Sequence, residues 1–181
     1  LSTFGSEIQS AVTPSGRVDL VNLNLKGTIF NDPLVRTAMA LGIDRTALNT
    51  VGLDGKGTVA TTLFPPSLGY ATIPVQSTDA QQAKALLDKA GWTMGSDGVR
   101  VKGSQRLSLT IYSYPGRAEL TPIAVTMKSE LQPLGFELKV EQVQDPNTVT
   151  RTNNWDATMR SNNTLPTGDP LSSEEVRHAL R

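Results

Sequence analysis

Leu107-Ser108-Leu109-Thr110-Ile111-Tyr112 alternates apolar and polar residues, and so does Phe136-Glu137-Leu138-Lys139-Val140-Glu141-Gln142-Val143 further along the chain. A period of two marks strands with one buried face. Between them, residues 118–131 place Ile123, Met127 and Leu131 in helical register, and Pro133-Leu134-Gly135 stops the helix. Two strands joined through one helix predict a parallel pair with a right-handed crossover. The expected fold class is therefore α/β, or mixed α+β, with a central mixed sheet flanked by helices.

Outward from this unit, Val18-Asp19-Leu20-Val21-Asn22-Leu23-Asn24-Leu25 reads as a buried strand with two asparagines inside it. Asp32-Pro33 starts a helix, because Asp is a good N-cap and Pro lacks only an N–H that would be unpaired there. A second short helix is expected after Asp44, running to Val51. Residues 52–78 read as a long ordered loop anchored by Leu63, Phe64, Leu68 and Tyr70. A helix over 79–90 ends at Gly91, a left-handed C-cap. Residues 94–104 form a Gly-rich hairpin or turn region, and Asp156–Arg160 a short last strand. Ser172-Ser173-Glu174-Glu175 is a capping box for a short helix to Arg181.

The 181 residues suffice for one core-bearing domain. Seventeen basic and seventeen acidic residues give zero net charge, which leaves no clustered basic face for nucleic acid and no Lys/Arg run for a lipid surface. The absence of cysteine removes disulfides, a thiolate nucleophile and Cys-ligated zinc. No stretch approaches the ~20 apolar residues of a transmembrane segment. Leu1-Ser2-Thr3-Phe4-Gly5 carries no secretory leader, so the chain is expected to be an excised fragment.

Few constellations carry chemistry. The Arg36–Asp44 neighbourhood reads best as a polar network that satisfies helix ends. Gly55 and Gly57 lack the Lys-Ser or Lys-Thr ending of a phosphate loop, and no serine sits in a Gly-x-Ser-x-Gly elbow. His178 is the one histidine; with only Glu174 at i−4, it reads as a solvated surface residue. No catalytic residue, metal ligand or cofactor site is identified, and no enzyme is expected. The run from Met159 to Pro170 follows a strand end and is dense in neutral donors and acceptors, which suits a polar solute. Arg160, Asn162, Asn163, Thr164, Leu165 and Thr167 are the expected ligand contacts, with Tyr112 at a neighbouring strand end.

Asn24 and Phe30-Asn31-Asp32-Pro33-Leu34-Val35-Arg36-Thr37-Ala38, followed by Ile43-Asp44-Arg45, resemble the signature of the family 5 bacterial extracellular solute-binding proteins. The similarity continues in order through Gly55-Lys56-Gly57, Ala60, Leu63-Phe64-Pro65-Pro66, Tyr70, Ala83–Trp92, Leu134-Gly135-Phe136 and Trp155-Asp156-Ala157. It covers residues 17–170, and its specificity lies in the order and spacing of the pieces. The stretches Thr62–Ser67 and Asp97–Arg100 look more like the nickel subgroup than the oligopeptide one.

The resemblance implies one lobe of a two-lobed periplasmic binding protein, closing by a hinge on a solute and docking on an ABC permease. Residues 1–16 would cross from an absent N-terminal lobe, 17–171 form the solute-binding lobe, and 172–181 a C-terminal helix or tail. It further implies capture of a peptide, nickel complex or similar polar solute without chemistry, in the periplasm or outside the cell, the full-length protein in one form a membrane-anchored lipoprotein. A non-transport interaction module, such as a peptide-holding chaperone or adhesin on the same scaffold, is the alternative. Two positions depart from the family: Pro166 stands where peptide-binding relatives often carry an acid, and Thr164 and Gly168 where nickel-binding ones carry aromatics.

Overall fold

The computed structural model describes residues 15–62, 64 and 74–163. The expected anchors Leu63, Leu68 and Tyr70, the segment 1–14 and the tail with its capping box lie outside the described residues. The main sheet contains β1 (Arg17–Leu23), β5 (Ser108–Ser113), β6 (Glu137–Gln142) and β7 (Ala157–Asn163), in the order β1-β7-β5-β6. β5 is parallel to both β6 and β7, whereas β1 runs antiparallel to β7. The sheet is thus mixed, and the parallel β5–β6 pair has the crossover helix α4 (Leu120–Leu131) between its strands.

The helices begin where their sequence says. The Asp32 side chain accepts the Leu34 amide at 2.8 Å and Pro33 opens α1 (Pro33–Leu41). The Asp44 side chain accepts the Thr46 and Ala47 amides at the start of α2 (Arg45–Leu53). α3 (Ala80–Lys89) is capped by Asp79 and left through Gly91, whose φ of +85° favours a residue with no Cβ. A 3-10 turn (Gln132–Leu134) continues α4 before Gly135 ends it at φ +95°. A second small sheet, β2 (Thr93–Met94), β3 (Arg100–Lys102) and β4 (Gln105–Arg106), occupies the expected Gly-rich hairpin region.

One core joins these parts. Val35, Ala38 and Met39 of α1, Leu87 of α3 and Ile123, Ala124 and Met127 of α4 share a single cluster with Leu109, Ile111, Leu138, Ala157 and Met159 of the sheet. Arg100 is buried beside it, donating through Nε to the Leu134 carbonyl at 2.8 Å and through Nη1 to Asp88 and the Trp92 carbonyl. A buried guanidinium is tolerable only when its donors are used in this way.

The structure corrects the reading of two elements and adds a third. β1 is an edge strand and mostly half-buried, with Val18 alone in it fully buried. Asn24 lies just past its end and acts as a staple. Its amide donates to the Asp156 carbonyl and its Nδ2 to the Trp155 carbonyl, each at 2.8 Å, while its Oδ1 accepts the Lys26 amide at 3.1 Å. β7 runs three residues beyond Arg160 because β1 pairs with it over its whole length, Arg17 opposite Asn163 and Leu23 opposite Ala157. The short helix α5 (Pro146–Thr150), capped by Asp145, was not expected. It repeats the Asp-Pro start of α1 but is too short to show periodicity.

Replacing Asn24 with Ala leaves the Trp155 carbonyl and the Lys26 amide without their partner. The expected loss is about 1–3 kcal/mol, read as a lower denaturant midpoint with an unchanged m-value. Replacing Arg100 with Met is expected to cost at least as much, about 2–4 kcal/mol, because buried carbonyls lose a charged donor.

Candidate functional site

β5, β6 and β7 are parallel, so their carboxyl ends share one edge of the sheet, and β1 starts at the same edge. Open α/β sheets present ligands outside such an edge, where the connections of adjacent strands leave in opposite directions. A cleft with a volume of about 1180 Å³ runs from this edge along β1. Its floor includes Arg17, Asp19 and Met159; its walls are α1, α2, α4 and the loop from Asp54 to Thr62. α2 suits this position, since none of its residues is fully buried and Gly52 brings it against Ile123 of α4.

The charged side chains of the cleft divide by their partners. Arg36 is consumed by the fold, its Nη1 donating to the carbonyls of Phe30 at 2.7 Å and Asn31 at 3.1 Å. Arg45 donates to the Ala40 carbonyl at 3.2 Å, at the C-terminal end of α1. This is the structural network that the sequence indicates. Lys56 pairs with Asp54 at 3.3 Å.

Asp19 stands apart. It faces the cleft from β1, opposite Ser161 of β7. Asp19 Oδ1 and Ser161 Oγ are shut off from solvent and lack a well-formed hydrogen bond to any described residue. Burial pushes the Asp19 carboxyl above its ordinary range; the neighbouring Ser161 hydroxyl partly offsets this, Glu119 reinforces it, and Arg117 and Arg17 oppose it. On the opposite face, Thr158 Oγ1 and Arg160 Nε are also buried without a partner. The β1–β7 pair thus carries, on both faces, buried polar atoms without a hydrogen-bond partner among the described residues.

The residues expected from sequence separate across the sheet. Tyr112 lies beside Thr158 in the β5–β7 register, on the face away from the cleft. Arg160 shares that face and donates weakly to Thr150 Oγ1 of α5 at 3.4 Å. Asn162 follows on the same side, half-buried, and the exposed Asn163 alternates to the side of Asp19 and Ser161. Thr164, Leu165 and Thr167 lie outside the described residues. Asp19 escaped the sequence analysis, although a carboxylate between Val18 and Leu20 in an apolar strand was a signal available there.

Among the described residues no group of three His, Asp or Glu side chains is placed to hold a metal ion. No described helix is long and apolar enough to cross a membrane.

Residues 5–180 match the family model for the middle region of bacterial extracellular solute-binding proteins, family 5. The chain belongs to this family. The family 5 relatives include the oligopeptide-binding protein AppA of Bacillus subtilis, 31% identical over 143 residues, which cover 75% of this chain and 26% of AppA. The nickel-binding periplasmic protein of Escherichia coli is 32% identical over 126 residues, covering 67% of this chain and 24% of that protein. Among solved structures, a nickel ABC transporter protein from Bacillus halodurans aligns with a TM-score of 0.77 and 30% identity over 87% of this chain and 33% of its own. AppA in complex with a nonapeptide aligns with a TM-score of 0.76 and 26% identity over 85% of this chain and 33% of its own. The chain therefore spans about a quarter of the length of the curated family 5 proteins it matches.

The raised Asp19 pKa sets a pH dependence. The folded chain holds the Asp19 proton more tightly than the unfolded chain, whose value is near 3.8. This group's contribution to stability is complete below that pH and is lost as pH rises through the folded value. Asp19→Asn removes the cost of burying the charge. The variant is expected to melt above the parent at neutral pH, with the gap closing toward pH 4 and below, as followed by thermal denaturation across pH.

Proposed function

We propose that this chain is one lobe of the substrate-binding component of an ABC importer, which captures a peptide, a nickel complex or a similar small polar solute without chemistry. The observation that carries the proposal is the meeting of cleft and strand pair. β1 enters and β7 leaves at the same edge, side by side, and the cleft opens along β1 with Asp19 in its lining, whose Oδ1 has no hydrogen-bond partner among the described residues. A domain entered and left through one paired ribbon can move as a body about it.

In this proposal residues 1–16 cross from a second lobe, which closes over the cleft, 17–171 form the lobe that grips the solute, and 172–181 form a terminal helix or tail. The solute lies against Asp19, Ser161 and the strand tip at Asn162 and Asn163, and Thr164, Leu165 and Thr167, which lie outside the described residues, are further proposed contacts. Arg160 and Tyr112, the other expected ligand contacts, lie on the opposite face of the sheet, where Arg160 donates to Thr150. Capture takes place in the periplasm or outside the cell, with a lipid anchor as one way to keep the whole protein near its permease. Among the described residues Ser161 has the Asp19 carboxylate beside it but no histidine, so we read the use of the cleft as binding rather than turnover.

Isothermal titration of the full-length protein with short peptides, nickel–histidine and nickel–metallophore complexes tests this. Binding of one class at about micromolar affinity or tighter, with the isolated lobe at least ~100-fold weaker, is expected, because the second lobe supplies half the contacts and excludes water. Flat titrations with every class would turn attention to the interaction-module alternative.

A further inference from the structure

Asp54, the other carboxylate of the cleft, is tied to Lys56, but Asp19 has no ion pair among the described residues. Arg17 lies two residues away on the same strand face, a separation of about 6–7 Å along a strand, and neither it nor Arg117 of the β5–α4 loop contacts the carboxylate as a salt bridge. Glu119, at the N-cap of α4, adds negative charge to the same neighbourhood. Ser161 is the registered partner of Asp19 and faces the same way. Two oxygen-bearing side chains therefore converge on one spot, one of them a carboxylate; Ser161 offsets part of the cost of burying it, and Asp19 Oδ1 and Ser161 Oγ have no well-formed hydrogen bond among the described residues.

An unpaired, partly buried carboxylate is costly, and a cation is what relieves it most. The absence of a third acidic or histidine ligand beside the pair, among the described residues, argues against a bare metal ion. A primary ammonium has three donors and a guanidinium five, enough to serve a carboxylate and a hydroxyl together. A neutral hydroxyl or amide on the solute would leave the charge uncompensated. We infer that Asp19, supported by Ser161, is a specificity-determining residue of the cleft, and that the solute it selects carries an amino or guanidino cation. This inference rests on the cleft being the solute site.

The test is titration calorimetry on the full-length protein, parent and Asp19→Asn, with tri-alanine, N-acetyl-tri-alanine, agmatine and nickel–histidine as probes. Asparagine keeps the size of aspartate, and a melting temperature at or above the parent's shows that the variant is folded. The expected result is that a probe with a free cationic group binds the parent. Its affinity falls at least tenfold in Asp19→Asn, and for tri-alanine a comparable fall follows N-acetylation. Unchanged affinity in Asp19→Asn overturns the role of Asp19 and leaves solute capture intact. An acetylated probe that binds the parent as tightly as the free amine overturns the class of solute. A parent that binds none of the four overturns the inference together with the solute-capture reading beneath it.

Discussion

The pairing of β1 with β7 is the constraint on which the rest depends. It joins Arg17 to Asn163 and Leu23 to Ala157, positions far apart along the chain, so the ladder closes a very long loop. Closing such a loop costs entropy, though the cost grows only slowly with length. The seven paired positions meet that cost with backbone hydrogen bonds, and Asn24 adds side-chain bonds at the end of the ladder. Asp156, beside the same staple, accepts the Thr110 amide at 2.8 Å, just before β5 and β7 begin to pair. One turn therefore aligns the edge strand, the central strand and the strand between them.

The same ladder explains why polar atoms of β1 and β7 lack partners among the described residues. Alternation along paired strands forces Asp19 and Ser161 to one face and Thr158 and Arg160 to the other. The Met159 side chain, between Thr158 and Arg160, must point into the core, so its neighbours cannot. Asp19 and Ser161 share the core-side face but lie nearer the strand tips, and Asp19 lines the cleft there. Asp19 Oδ1 and Ser161 Oγ at that boundary are shut off from water and, among the described residues, have no well-formed hydrogen bond. Such sites are unfavourable for an isolated fold and useful for one that closes on a guest.

Much was legible in the chain because local physics wrote it there. The strands β5 and β6 show alternation over six residues each, and the Asp residues at 32, 44 and 79 cap helices as short side chains with a free oxygen do. Asn24, Arg36 and Asp44, quoted in the family pattern, are residues whose side chains satisfy backbone groups. Asp145-Pro146 carried the same start signal as Asp32-Pro33, but five helical residues complete little more than one turn, which leaves no periodicity to read. β7 was underestimated because Ser161, Asn162 and Asn163 are polar residues of weak strand preference. They extend only because β1 offers them a ladder.

By itself the sequence determined the family, the mixed α/β class, the β5–α4–β6 crossover and most helix ends, since each depends on residues within a turn or two of one another or on an ordered motif. The tertiary structure alone decided that β1 is an edge strand, that Tyr112 and Arg160 face away from the cleft, and that Asp19 faces into it beside Ser161. Those placements follow from which strand pairs with which and in what register. A shift of one residue would exchange the two faces, and no local pattern in so polar a ribbon specifies that register.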